Sequence, residues 1–276
     1  MGGVGVTEVN RHTADEAAGT LVQWRDATRR GVMPREFFDR PAPVVAPELL
    51  GCVLAHQSEQ GLVAVEIVEV EAYTGQTDPA SHAYRGRTAR NAVMFGPPGH
   101  VYVYFTYGMH FCMNLVCTQP GEAAAVLIRA GRVVAGTQLA AARRAAAANG
   151  ASGTSGTSGP SGSLSESARS EARLASGPAR LCRALGIDRA QNGADVCDPR
   201  GGLQVLTSAG SPGRPAMAVC SGPRVGVRAG AEAPWRFWIA DDTAVSAYRP
   251  HAPRRRAGPR AETDVTRRPR DGSMQP

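Results

Sequence analysis

The chain contains no lysine: all 31 of its basic residues are arginine. That excludes a lysine Schiff base with a carbonyl substrate, and it excludes a phosphate loop of the Walker type. The six cysteines form no CxxC pair and the six histidines no HxxxH or HExxH spacing, so no zinc site is expected. No N-terminal apolar stretch reads as a signal peptide, and no run is long enough to span a membrane. Reduced thiols in a cytoplasmic protein are the expectation. Aromatic residues are scarce, at 5% of the chain. Yet five of the six tyrosines, Tyr73, Tyr84, Tyr102, Tyr104 and Tyr107, fall within 35 residues. They lie in and between the strings EIVEVEAY and YVYFTYGMHFCMN. Flat aromatic faces beside a carboxylate and a cluster of arginines can hold a planar, electron-poor ring. The same faces can also fill a core.

At 276 residues the chain has room for one or two domains, and its punctuation favours one. Residues 1–32 are polar without sustained periodicity and are expected to be disordered. A low-complexity Ala/Gly/Ser linker is expected at about 137–176, where an Ala/Arg run becomes GASGTSGTSGPSGS. The Arg/Pro-rich tail, 249–276, is also expected to be disordered. One domain spanning 33–248 remains, interrupted by the linker. The net charge of +7 does not belong to that domain. The tail carries eight arginines against three acids, the linker four against two, and the first 32 residues balance. The remaining blocks are therefore formally neutral, and any attraction for a polyanion must come from local clustering.

Strand signals dominate. GLVAVEIVEVEAY (61–73) is the clearest, with Val63, Val65 and Ile67 on one face by the two-residue period. Glu69, Glu71 and Tyr73 continue that parity, so a core face is expected to end in two carboxylates at the rim of a cleft. HVYVYFT and HFCMNLVCT read as two strands joined through Tyr107-Gly108-Met109, with Tyr107 at the tip. CVLAH, AAAVLIRA, PRVGVR and PWRFWIA are further strands. Pro47–Gly51 reads as a helical turn, and 177–187 as a short helix with Pro178 near its start and Gly186 at its end. Without βαβ alternation, the expected class is α+β. The expected form is a single domain on a curved, mostly antiparallel sheet, with surrounding helices and a protruding β-hairpin.

The strings EVEAYTGQTDPASHAYRGRTARNAVMF, GHVYVYFTYGMHFCMN, VLIRA, GPARLCRALGID and PWRFWIA together resemble the alkyladenine (3-methyladenine) DNA glycosylase family. The resemblance spans most of 37–136 and 177–248, in the family's order. It implies a monofunctional enzyme that flips alkylated or deaminated purines out of duplex DNA and hydrolyses the glycosidic bond. Glu71 matches the catalytic acid that activates a water, and Arg129 an arginine beside it. Tyr73, His82 and Tyr104 match the residues that line the base pocket. Asn114 matches a pocket-floor asparagine set against the 2-amino group of guanine. Tyr107 matches the wedge that fills the gap left by the flipped nucleotide, with Met109 and His110 flanking it near the DNA. Arg85, Arg87 and Arg90 are where phosphate contacts are expected. Glu69 has no catalytic counterpart and reads as structural, paired with an arginine. The missing lysine fits an enzyme without strand cleavage. The chain departs from the family's commoner pattern at Ala46-Pro47-Glu48 and at Thr88-Ala89-Arg90. No cofactor or metal is implied. The implied partner is double-stranded DNA bearing a damaged purine, met by a monomer associated with the nucleoid. A nucleosidase for free nucleosides and a non-catalytic nucleic-acid binding module are the alternatives.

Overall fold

The computed structural model describes residues 20–27, 30–106, 108–149, 170–207 and 217–250. Its centre is an open eight-stranded sheet in which every ladder among the described residues is antiparallel. In chain order the strands are β1 (Val53–Ser58), β2 (Gly61–Tyr73), β3 (Val101–Thr106), β4 (His110–Cys117), β5 (Ala124–Ala135), β6 (Leu203–Leu206), β7 (Val219–Gly222) and β8 (Arg236–Ile239). Their spatial order is β3-β4-β5-β2-β1-β6. β1 takes the first half of one β2 edge, and β8, itself paired with β7, takes part of the second half. The α+β expectation holds, and the strand over 61–73 has the bounds expected from its alternation.

The α-helices described beside the sheet include α1 (20–27), α2 (Arg35–Phe38), α3 (Ala42–Glu48), α4 (Thr137–Asn149) and α5 (Pro178–Leu185), with a helical turn at 170–172. Pro178 supplies the fixed φ of the first turn of α5, and Gly186 closes it at φ 72°. Two expected boundaries move. The segment 1–32 is not wholly structureless: α1 buries Leu21 against Val53, Ala55, Ala64 and Leu206, and Gly31 O accepts from Thr207 N. The expected linker loses its start, because the Ala/Arg run forms α4, in keeping with alanine's helix propensity. Arg143 of α4 then donates to Ala184 O and Ser58 Oγ. Residues 170–176 are ordered as well, and Ala175 is fully buried. The rest of the expected disorder, at 1–19, 150–169 and 251–276, lies outside the described residues. Two smaller elements differ too. The helix near Pro47 lies earlier, at Ala42–Glu48, and contains that proline in its last turn. PRVGVR is not a strand; the strand is the preceding Val219–Gly222.

The parity of β2 is the difference that matters most. The main core takes Val63, Val65 and Ile67, then Val68, Val70 and Ala72. The pairing of β2 with β5 skips Val68 on one strand and Arg129 on the other. This paired bulge reverses the alternation beyond Ile67. Glu69 and Glu71 therefore leave the face of Val63 and Val65, contrary to the simple two-residue period. A second apolar cluster, Ala83, Met94, Tyr102, Val116, Ala123 and Ala125, lies apart from the main core. All six cysteines are free thiols, four of them buried.

Candidate active site

Residues directly opposite in antiparallel ladders share a face. One such row crosses five strands: Tyr102 on β3, Asn114 on β4, Leu127 on β5, Glu71 on β2 and Arg236 on β8. The reversal at Val68 puts Glu71 into that row. Glu69 and Glu71 of β2 are both fully buried, so each must be paired.

Glu69 is held by two arginines. Arg129 Nε and Arg236 Nε each donate to its Oε1 at 2.8 Å. Ser246 N donates to Oε2 at 2.7 Å and Ser246 Oγ to Oε1 at 2.9 Å. Burial works against the charged form, but Arg129, Arg236 and Ser246 outweigh it and hold the Glu69 carboxyl below its usual value. The same Arg129 reaches Glu71 Oε1 through Nη1 at 3.2 Å. Burial opposes its charge, but Glu71 and Glu69 outweigh that effect, and Arg129 stays protonated.

Beside this ion pair Glu71 accepts two hydrogen bonds. Val225 N donates to Oε1 at 2.7 Å, and Tyr73 Oη donates to Oε2 at 2.8 Å. Burial, then Glu71 itself, pushes the Tyr73 phenol well above its ordinary value, which keeps it a donor. A carboxylate offers about four acceptor positions. Two hydrogen bonds and the Arg129 ion pair leave Oε2 with only the Tyr73 hydroxyl on it, and so with an acceptor position to spare.

Tyr73 is also a wall of a pocket of about 330 Å³, counted with the open space at its mouth. Ala80, Ser81, His82, Met94, Tyr102, Tyr104 and Asn114 complete it. Glu71 is not among the lining residues; the Tyr73 hydroxyl connects it to them. His82 meets the Tyr104 ring edge-on at 4.5 Å between centroids, and Tyr102 and Tyr104 stack at 5.7 Å. His82 Nδ1 lies 3.2 Å from Tyr102 Oη. Burial, then nearby Arg90, lowers the His82 pKa, so the ring is neutral at neutral pH. Asn114 Nδ2 donates to Tyr102 O at 3.2 Å, which leaves its carbonyl oxygen as the acceptor for a ligand.

The structure thus brings Glu71, Arg129, Tyr73, His82, Tyr104 and Asn114 together. Tyr107 lies outside the described residues. Met109 and His110 do not line the aromatic pocket. They line a separate groove of about 1010 Å³, counted with open space, alongside Arg143 and Arg183. Met109 is 66% exposed beside the hairpin tip. Arg85, Arg87 and Arg90 are all exposed on the loop after His82. Arg90 reaches back to Phe105 O at 3.3 Å. Asn91 anchors that loop: its Nδ2 donates to His82 O and Gly86 O, and its Oδ1 accepts from Thr88 N and Oγ.

Several residues escaped the sequence. Tyr102 forms pocket wall, yet only its shared parity with Tyr104 pointed there. Arg224, Arg236 and Ser246 gave no local signal, since their carboxylate partners lie far away in the chain. Asn91 was not singled out, although its partners lie within nine residues of it. Among the described residues no helix is long and apolar enough to cross a membrane. No group of His, Cys, Asp or Glu among them could hold a metal ion.

Comparison with known proteins bears on the same residues. The family model described as methylpurine-DNA glycosylase matches residues 36–243. A protein of Streptomyces avermitilis is 52% identical over 231 residues, which cover 83% of this chain and 98% of its own length. One of Frankia casuarinae is 46% identical over 227 residues, covering 80% of this chain and 93% of its own. One of Methanocella arvoryzae is 44% identical over 222 residues, covering 79% and 98%. Each bears the name "Putative 3-methyladenine DNA glycosylase". With the family model matched across well over half of its length, Glu71 and the pocket included, this chain belongs to the methylpurine-DNA glycosylase family and is a DNA glycosylase that acts on damaged DNA.

Proposed function

We propose that this enzyme is a monofunctional glycosylase acting on alkylated or deaminated purines in duplex DNA. The damaged nucleotide leaves the helix, because its glycosidic bond is out of reach in the stack. Its base enters the pocket between Tyr73, His82 and Tyr104. A water at the free acceptor position of Glu71 attacks the sugar carbon. The carbon–nitrogen bond breaks with its electron pair leaving on the base, and the water's proton passes to the Glu71 carboxylate. That carboxylate also stabilises positive charge on the sugar in the transition state.

The observation that carries this reading is the ligation of Glu71. Arg129, Val225 N and Tyr73 fix both of its oxygens and leave one acceptor position beside the aromatic pocket. Aromatic faces attract a cationic or electron-poor purine more than a normal one. Asn114 is expected to meet the purine edge on which guanine carries a 2-amino group and to exclude that group by steric conflict. The exposed Arg85, Arg87 and Arg90 suit phosphate contacts, and Met109 with His110 flank the hairpin tip that enters the minor groove. With no lysine to attack the sugar, the product is an intact abasic site. The reading needs one protomer only.

The test is single-turnover excision from duplexes carrying hypoxanthine or ethenoadenine, with alkali to reveal abasic sites. Wild type is expected to excise and Glu71→Gln to lose at least about a hundredfold, the lower range for a general base. Equal rates would move the chemistry to another residue. Borohydride is expected to trap no covalent adduct, and free nucleosides are expected to remain intact.

A further inference from the structure

Arg224 is the largest fully buried side chain among the described residues, and it belongs to neither carboxylate network. Its Nη1 donates to Ala72 O and to Asp78 Oδ2, and its Nη2 donates to Asp78 Oδ1 at 2.9 Å and to Gly230 O at 3.0 Å. Four of five donors are used, and the buried Nε has no partner. Asp78 is itself 1% exposed, so the pair lies wholly inside the protein. Burial opposes the Arg224 charge, but Asp78 outweighs it.

The guanidinium covers two rings. Its central carbon is 4.7 Å from the Tyr73 centroid and 5.1 Å from that of Trp235. Tyr73 lines the pocket and Arg224 does not, and the Arg224 side chain has no exposed surface. The Tyr73 ring therefore stands between the guanidinium and the pocket. Tyr73 is the last residue of β2, paired with Ala125 at the end of the ladder, so the sheet fixes its backbone but not its ring plane. Its hydroxyl is held by Glu71, and its ring plane needs a second support.

We infer that Arg224 is a positioning residue for this reaction: it backs the Tyr73 ring and sets the plane on which the flipped base stacks. The inference rests on the function proposed above. The Arg224–Asp78 pair carries no net charge, so the action is one of shape and fixed hydrogen bonds rather than of field. A lysine keeps the charge but cannot reproduce a planar fork with four directed donations. Arg224→Lys is therefore expected to fail as a replacement.

The experiment compares wild type, Arg224→Lys, Tyr73→Ala and the double variant, each shown folded by circular dichroism and by melting above the assay temperature. Single-turnover rates are read on an ethenoadenine duplex, and so is the emission of the bound ethenoadenine. Arg224→Lys is expected to lose between about ten- and a hundredfold in rate, the scale of a small misplacement at a reacting centre. Its complex is expected to show the emission of the Tyr73→Ala complex rather than that of wild type. The double variant is expected to be within about twofold of Tyr73→Ala, the sign of two residues acting through one contact. Wild-type rate and emission in Arg224→Lys would overturn the inference. So would losses that multiply in the double variant, which would point to Val225 N and Glu71 instead. If Arg224→Lys does not fold, Asp78→Asn is read in the same way, with a smaller change in the same direction expected and wild-type emission overturning the inference. Wild type sits in every comparison, so failure of the wild type to excise any lesion would count against the proposed function and not against Arg224.

Discussion

Glu69 and Glu71 are separated by one residue and have different work. Glu69 meets four donors from Arg129, Arg236 and Ser246, none of which lines the aromatic pocket, whereas Glu71 is tied to that pocket through Tyr73. Glu71 keeps one position open. Removing Glu69 would leave two guanidinium groups buried without their shared partner. Glu69→Ala is expected to destabilise the fold by about 3–5 kcal/mol, the cost of breaking a buried ion pair from one side. Urea denaturation measures it. The pH dependence follows from the depressed Glu69 pKa. In the pH range between its folded and unfolded pKa values the unfolded chain binds more protons, so stability rises with pH. The contribution is complete above the ordinary carboxylate value and is lost as pH falls through the folded one. A folded Glu69→Gln variant should show a shallower loss of stability on acidification; an unchanged acid limb would mean that other carboxylates set it.

At the scale of elements, the bulge at Val68 and the turn after Tyr73 aim the site. The turn depends on Gly75, at φ 69°, whose added Cβ would fall 1.7 Å from Ala123 O. Neither the backbone angle nor the contact can be relieved by a rotamer change. Gly75→Ala is expected to cost about 2 kcal/mol or more and to displace the Asp78–His82 segment, lowering excision together with melting temperature. A variant with wild-type melting and activity would show that the turn can be rebuilt. These elements also mark what the sequence disclosed. The 61–73 strand, the hairpin and the helix after Gly177 are legible because their alternation and their Pro/Gly punctuation are local. The reversal at Val68 is not, since valine suits either register and only β5 imposes the skip. The carboxylates can be picked out of the sequence, while the face on which they lie cannot. PRVGVR alternates well enough to read as a strand, but Arg224 answers to Asp78, which is 146 residues away. The 137–149 run reads as linker because alanine serves low complexity and helix alike.

At the scale of the molecule, charge is unevenly placed. The blocks 33–136 and 177–248 are formally neutral and α4 adds only Arg143 and Arg144, so DNA affinity is expected to come from patches such as the loop anchored by Asn91. Replacing exposed Arg85 and Arg87 with glutamine is expected to weaken binding equally for damaged and undamaged duplex. The slope of log K against log salt should fall by about one for each phosphate that is no longer neutralised. Deleting the residues after Tyr248 is expected to lower it further, with excision from bound DNA unchanged. An unaltered slope in both would place the electrostatic surface elsewhere.

The free thiols carry a last consequence. Cysteine reacts with electrophiles as thiolate. Burial raises Cys112, Cys117 and Cys182 above the usual thiol value and pushes Cys197 up to about 11. Under the proposed function, with alkylated purines as substrates, the enzyme works where alkylating agents are present. With these four sulfurs held as SH and no lysine amine in the chain, it presents such agents with fewer nucleophiles.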